Sequence, residues 1–262
     1  MAILHAINPY YVLSGFCVGF LVGMTGVGGG SLMTPLLILL FKISPEQAVA
    51  TDLIYASVTK TGGSIIHAIN KTIDWRIVLR LASGSLPASL ITLAVLHFLG
   101  LDSAAANAVI TKVLGVTLIF TAVALIFRPV LLDIYVRRVG EVSTGNTARF
   151  TVLTGVMLGT LVTISSVGAG ALGVTALIVL YPKLPIVRIA GSDIAHAVPL
   201  TLLAGVGHLV GGTIDTGTLI SLLAGSLPGI TIASMFAPRL PDVALRLVLA
   251  ATLLLVAFRL LF

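Results

Sequence analysis

Gly15-Phe16-Cys17-Val18-Gly19-Phe20-Leu21-Val22-Gly23-Met24-Thr25-Gly26-Val27-Gly28-Gly29-Gly30 is echoed about 140 residues later by Gly155-Val156-Met157-Leu158-Gly159-Thr160-Leu161-Val162-Thr163-Ile164-Ser165-Ser166-Val167-Gly168-Ala169-Gly170. Both stretches are apolar runs that end in a glycine-rich interruption. With one extra residue in the second copy the echo continues: Asp52 meets Asp193, His67 meets His208, Thr72-Ile73-Asp74 meets Thr213-Ile214-Asp215, and Gly84-Ser85-Leu86-Pro87 meets Gly225-Ser226-Leu227-Pro228. An internal repeat with a broken hydrophobic segment at the same place in each half is the sequence signature of a secondary transporter, and the breaks point to its binding site.

Composition fixes the solvent. A chain of 262 residues that is 58% hydrophobic and 9% charged cannot hide its apolar surface in a water-soluble core, so lipid must cover much of it. The runs are continuous and roughly 20 residues long, which suits helices and excludes the short alternating strands of a barrel. The formal net charge of +6 sits mostly at the ends of apolar runs, where membrane topology places cations, so no nucleic-acid partner is read from it. Cys17 is the single cysteine, which leaves no disulfide or cysteine-based metal site within one chain. The first residues lack a basic leader region, and a cleavable signal is not expected.

Four apolar segments fall in the first half, at about 9–41, 47–69, 76–99 and 107–127, and four in the second, at 150–181, 187–210, 217–237 and 243–262. A polar loop from Arg128 to Arg149, the candidate linker, joins repeats 8–128 and 148–262, and the whole chain reads as one membrane domain. The first segment of each half is too long for one span: 33 residues of helix would reach roughly 50 Å against a hydrocarbon core of about 30 Å. Two short helices meeting at the glycines, as a re-entrant hairpin or a tilted broken helix, account for the excess. Cations separate these forms. If every segment crosses once, Lys and Arg divide 8 to 6; if the first segment of each half returns to its own side, 11 lie inside and 3 outside, with Lys60 left in a span. The positive-inside rule favours the second arrangement. It gives each half a broken segment and three spans, so the halves are inserted upside down relative to each other.

Gly15, Gly19 and Gly23 recur at every fourth position, the pattern of close helix packing. Thr25, Gly26, Gly28, Gly29, Gly30 and Ser31 differ, because successive glycines weaken the helix and free backbone N–H groups at the start of the next one. Ser165, Ser166, Gly168 and Gly170 supply the matching break. Paired half-helix N-termini would bind an oxyanion through dipoles and N–H donors, or serve as a hinge alone. A nucleotide loop is excluded by the missing strand and lysine. Lys60 sits mid-span, at a cost of roughly 2.5–3.5 kcal/mol, and must either lock helices together or attract the anion; its counterpart is Thr201, so the charge is not duplicated. Lys60, Ser64 and His67 share one helical stripe, and Asp52, Tyr55 and Thr59 a neighbouring one. Asp52 and Asp193, the latter followed by His196 at i+3, suit a coupling or proton-relay role, or else a polar clamp near a helix start. His67 and His208 read as interfacial or helix-end contacts, Pro199 as a kink in one half only, and the shared Gly-Ser-Leu-Pro as a matched bend with no ligand role required.

The motif from Gly15 to Pro35, followed by Ala50-Thr51-Asp52, and its weaker copy from Gly155 to Asp193 resemble the sulfite exporter TauE/SafE family of membrane transporters. The resemblance implies transport of small sulfur-containing or organic anions, such as sulfite or sulfonates, across the bacterial inner membrane, driven by an ion gradient. Replacement of Gly26 and Gly29 by Ser166 and Ala169 departs from the first copy's pattern. The expectation is therefore an all-α polytopic inner-membrane transporter with no enzyme activity and no cofactor or metal. Its partners are a small anion, the lipid bilayer, a coupling proton or sodium ion, and compatibly further copies of itself. An anion channel or a metal-ion carrier using Asp52, Asp193 and His196 is the alternative. A membrane-embedded enzyme would need paired histidines with a carboxylate at a spacing the five histidines lack.

The topology is open to labelling. With Cys17→Ala as background, cysteines at positions 102 and 212 should react with an impermeant reagent from outside, and those at 138 and 239 from inside alone. Labelling of position 239 from outside overturns the inverted arrangement.

Overall fold

The structure is a computed structural model that describes residues 8–25, 30–98, 103–138, 144–210, 216–236 and 242–262. Ten helices follow in order among them: α1 (Pro9–Thr25), α2 (Gly30–Leu39), α3 (Pro45–Ile69), α4 (Trp75–Phe98), α5 (Ser103–Arg138), α6 (Thr144–Ser165), α7 (Ala171–Leu180), α8 (Ile186–Val210), α9 (Thr216–Phe236) and α10 (Asp242–Leu261). Among the described residues the only regular secondary structure is helix. Five stretches of the described residues, within α4, α5, α6, α8 and α9, are long and apolar enough to cross a membrane. α3 is as long as α8 but carries Glu46, Asp52 and Lys60, the polar load of a helix that faces protein. Apolar side chains such as Leu79, Ile91, Phe120, Leu153 and Leu255 point outward, as lipid requires.

Helix boundaries keep the offsets of the sequence echo. α1 and α6 end 140 residues apart, whereas α2 and α7, α3 and α8, and α4 and α9 begin 141 apart, which puts the extra residue of the second copy inside the break. α2 and α7 are 10 residues each, about 15 Å, or half a bilayer core. Each doubles back on its predecessor. The Tyr181 hydroxyl, just after α7, lies 2.8 Å from Thr151 near the start of α6, and Leu158 and Leu177 pack in one cluster. In the first half the rings of Tyr11 and Phe41 stand 4.3 Å apart, and Val18 of α1 shares a core with Met33 and Leu37 of α2. These fold-back contacts are those of a hairpin and not of a tilted broken span.

The same geometry gathers the cationic turns. Arg80 at the start of α4 donates to the Tyr181 hydroxyl at 3.2 Å, Arg188 lies 3.9 Å from Asp74, and the Asp74 N–H donates to Ser192 at 2.8 Å. The α3–α4 and α7–α8 turns thus lie side by side. The expected polar linker is corrected: α5 continues to Arg138 and α6 begins at Thr144, so most of 128–149 is helical. Arg, Leu, Ile and Val in that stretch are good enough helix formers to extend a helix past the bilayer, because polarity ends a span and not a helix. At 36 residues, α5 reaches about 54 Å.

The two halves interlock. α1 packs on α9 as α6 packs on α4, while α3 lies against α8 and α5 against α10. Glycines permit the first two contacts. A Cβ on Gly15 would lie 2.3 Å from the Leu222 carbonyl oxygen, and one on Gly155 would lie 2.3 Å from that of Leu81; Gly19 against Ser226 and Gly159 against Ser85 repeat the pattern one turn on. Gly225 and Gly84, from the repeated Gly-Ser-Leu-Pro, face back at Val12 and Val152. Backbone thus meets backbone, which maximises dispersion where lipid offers no hydrophobic drive between helices.

Gly155→Ala should cost about 1–3 kcal/mol, because backbone and not a flexible side chain would have to move. Gly62, with open space where its Cβ would be, should gain from Ala by up to about 1 kcal/mol. Thermal unfolding in detergent measures both, and equal midpoints would refute the packing argument.

Candidate functional site

α3 and α8 cross at the centre of the bundle, each beside the broken pair of its own half. Ser44 caps α3 by accepting from the Gln47 N–H, Pro45 occupies the first turn, and the Asn107 side chain accepts from the Glu46 N–H. This start sets the register of a helix that buries Asp52, Tyr55 and Lys60. Asp52 accepts from the Thr34 hydroxyl of α2 at 2.5 Å. Its second oxygen, Oδ1, is buried with no hydrogen-bond partner. The Ser166 hydroxyl faces the same carboxylate without closing a well-formed hydrogen bond.

The second break is held by unusual backbone. Ser166 has φ +58°, Gly168 +125° and Gly170 +124°, so the chain turns from α6 into α7 through left-handed conformations that glycine tolerates and serine does not favour. Ser165 serves that turn: its hydroxyl donates to the Leu161 carbonyl at 2.7 Å and accepts from the Val167 N–H at 3.3 Å. A Cβ on Gly168 would meet the side chains of Val162, Leu158 and Leu172, and its carbonyl accepts from the Gly173 N–H at 3.2 Å. Among the break residues predicted to bind substrate, Ser166 and Gly170 therefore reach the polar centre, whereas Ser165 and Gly168 shape the turn. Gly30 opens α2, and Thr25 and Ser31 lie in α1 and α2. Gly26, Gly28 and Gly29 lie outside the described residues.

Lys60 bridges the halves. Its ammonium, 8% exposed, donates at 3.2 Å to the carbonyl of Ala169 in the second break, with the Asp52 and Asp193 carboxylates facing it from α3 and α8. The predicted stripe with Ser64 and His67 does not converge: His67 turns to Thr72 at 2.8 Å, at the end of α3. Asp193 approaches the Gly170 N–H at the start of α7, the place where an incoming anion was expected. Its Oδ1 would lie 2.0 Å from a Cβ on Gly173, so only glycine admits the carboxylate there. The positive end of α7 is thus already answered by the protein's own acid.

The crossing also brings Ser85, Ser226 and Thr34, which the sequence reading passed over, to residues it named. His196, fully buried, meets the Ser85 hydroxyl of α4 at 2.8 Å through Nε2, and its Nδ1 has no partner. Tyr55, at the corresponding position of α3, points its hydroxyl toward Ser226 of α9. Ser85 and Ser226 are the serines of the repeated Gly-Ser-Leu-Pro, read as a bend alone; the exact recurrence of that tetrapeptide was the signal. Thr34 had no such signal. His208, read as an interfacial or helix-end contact, is buried, with Nε2 2.9 Å from the Thr163 carbonyl in the last turn of α6. Asp, aromatic and serine thus recur on both sides of the centre, and Lys60 breaks the correspondence.

The family model described as Sulfite exporter TauE/SafE matches residues 11–260. The chain belongs to this family. It is also similar to the probable membrane transporter protein YjnA of Bacillus subtilis (strain 168), 39% identical over 219 residues, which is 83% of this chain and 85% of that protein. A shorter match, 43% identical over 70 residues, joins it to the probable membrane transporter protein YunE of the same organism, over 27% and 26% of the two chains. No solved structure matches. Within the TauE/SafE family, the match runs from the first fold-back helix to the last described turn of α10, so it takes in both breaks and the central crossing. Family and relatives point to a multi-pass membrane transporter and away from an enzyme.

Gly173→Ala should destabilise the protein by about 1–3 kcal/mol, and most of that cost should vanish in an Asp193→Ala background, where the clashing carboxylate is gone. Melting midpoints of the double-mutant cycle in detergent decide this. An undiminished cost in the double variant would show that the glycine answers to something else.

Proposed function

We propose that the chain is a secondary transporter that moves small anions, sulfite, sulfonates or related sulfur-containing and organic anions, across the bacterial inner membrane by alternating access. Family membership supports transport. The observation that carries the anion is the Lys60 ammonium, buried at the crossing and anchored by a single backbone carbonyl at a helix break. Such a cation keeps two donor positions for a ligand. Buried donors without partners, the Tyr55 hydroxyl and His196 Nδ1 in its protonated tautomer, lie on the same two helices. An oxyanion offers several acceptors and would satisfy them together. The half-repeats, inserted upside down, rock about the α3–α8 crossing, which the fold-back contacts and the adjoining α3–α4 and α7–α8 turns support. Asp193 with His196 carries the coupling proton, since both are titratable, buried and adjacent to the substrate cation.

Reconstituted protein tests the two roles separately. Lys60→Met should raise the apparent Kd in counterflow across a panel of sulfite, sulfonates and short carboxylates by roughly tenfold to a hundredfold, the worth of a desolvated charge-assisted bond of about 1.5–3 kcal/mol. Asp193→Asn should keep equilibrium exchange and lose accumulation driven by a pH gradient, because an amide carries no titratable proton. Full gradient-driven accumulation by Asp193→Asn would move the proton elsewhere, and unchanged affinity in Lys60→Met would remove the anion from this site.

A further inference from the structure

Two carboxylates and one ammonium meet at the crossing, and all three are buried. Neither Asp52 nor Asp193 closes an ion pair within 4 Å of Lys60 among the described residues; the ammonium spends its hydrogen bond on Ala169. One negative charge is left over when Lys60 is counted once. A carboxylate in so apolar a setting must be met by a counterion or a proton.

The two acids differ in the atoms around them. Asp193 faces N–H chemistry: the Gly170 amide at the start of α7, with the imidazole of His196 one turn along α8. The amide already stabilises the carboxylate, whose Oδ1 is likewise buried without a partner, and an imidazole nitrogen is a poorer ligand than oxygen for a hard alkali cation. Asp52 has two hydroxyls beside it, Thr34 Oγ1 at 2.5 Å and that of Ser166 on its other side, along with the Thr34 N–H and the Lys60 ammonium, and Tyr55 follows one turn along α3. Two of these atoms, Asp52 Oδ1 and Ser166 Oγ, are buried without a hydrogen-bond partner, and Ser166 is 5% exposed. Ser166 is held there by a left-handed backbone in which serine is a costly choice over glycine. Its hydroxyl brings a lone pair that glycine could not. A hydroxyl that donates to a carboxylate also keeps a lone pair for a cation, so Thr34 can do both. Hard alkali cations take sets of carboxylate, hydroxyl and backbone carbonyl oxygens of this kind.

We propose that Asp52, Thr34 and Ser166 form a site for a dehydrated monovalent cation, sodium, located between α2, α3 and the break of the opposite half. The site takes its ligands from both repeats, so an ion bound there ties the first half's acid to the second half's break. Occupation neutralises Asp52 and leaves Lys60 facing one carboxylate in place of two. The ammonium is then freer to attract an anion, and by linkage the anion favours the cation in return. This last coupling rests on the transport reading above; the cation site does not.

The test needs no anion and no flux. Purified full-length protein in detergent is melted in sodium chloride, potassium chloride and choline chloride at constant ionic strength and pH. Sodium should raise the midpoint saturably, while potassium and choline do not. Asp52→Asn and Ser166→Ala should each weaken the apparent sodium affinity at least about tenfold, a loss of about 1.4 kcal/mol. Should Asp52→Asn fail to fold, Ser166→Ala and Thr34→Val carry the comparison. Equal effects of the three salts on the wild-type protein, or undiminished sodium affinity in Ser166→Ala, would overturn the site and leave a proton on Asp52. Saturable sodium binding in a protein that exchanges no anion would uphold the site and refute the transport reading instead.

Discussion

An ammonium group in the middle of an apolar bundle needs a partner, and the arrangement of the centre follows from how Lys60 finds one. The nearest acceptor is a carbonyl that an unbroken helix would have used for its own hydrogen bond. The break after α6 therefore does two jobs: it turns the chain back into α7, and it exposes Ala169 to the opposite half. Asp52 and Asp193 flank the ammonium from the two crossing helices. Removing the break would leave Lys60 with carboxylates alone; removing Lys60 would leave two buried acids facing each other's helices. Neither half is electrostatically complete without the other.

Close backbone contact makes this crossing possible. Where Gly15, Gly19, Gly155 and Gly159 meet Leu222, Ser226, Leu81 and Ser85, the helices approach until main chains touch, and the serines next to those glycines are carried inward. Ser85 thereby reaches His196, and Ser226 comes near Tyr55. Packing and polar chemistry are set by the same tetrapeptide: glycine lets the partner helix in, and serine one position later faces the centre. On the transport reading, helices joined in this way move as units, and the polar α3–α8 crossing is where the halves change their relation.

Much of the fold was legible because its causes are local or additive. Hydropathy over a window reports partition into lipid, cation counts report topology, and a glycine every fourth residue reports a helix face that can touch another. Even the fold-back of the first segments could be argued from charge, and the contacts of Thr151 with Tyr181 and of Tyr11 with Phe41 agree with it. The linker was misread because polarity was taken for loop, whereas residues 128–138 continue α5 as helix.

By itself, then, the sequence determined that this is a helical membrane protein of two related halves, that each half begins with an interrupted segment, and that charge is concentrated at Asp52, Lys60, Asp193 and His196. Only the tertiary structure decided what those groups meet. Lys60 and Ala169 are 109 residues apart, and Ser85 and His196 are 111 apart. No periodicity links such pairs, because their proximity comes from how helices of opposite halves cross. The side chosen by each hydroxyl at the break was equally hidden. Ser165 and Ser166 are neighbours of identical chemistry, yet a left-handed turn sends one to its own helix and the other toward Asp52. Backbone conformation, which residue type constrains but does not dictate, made that assignment.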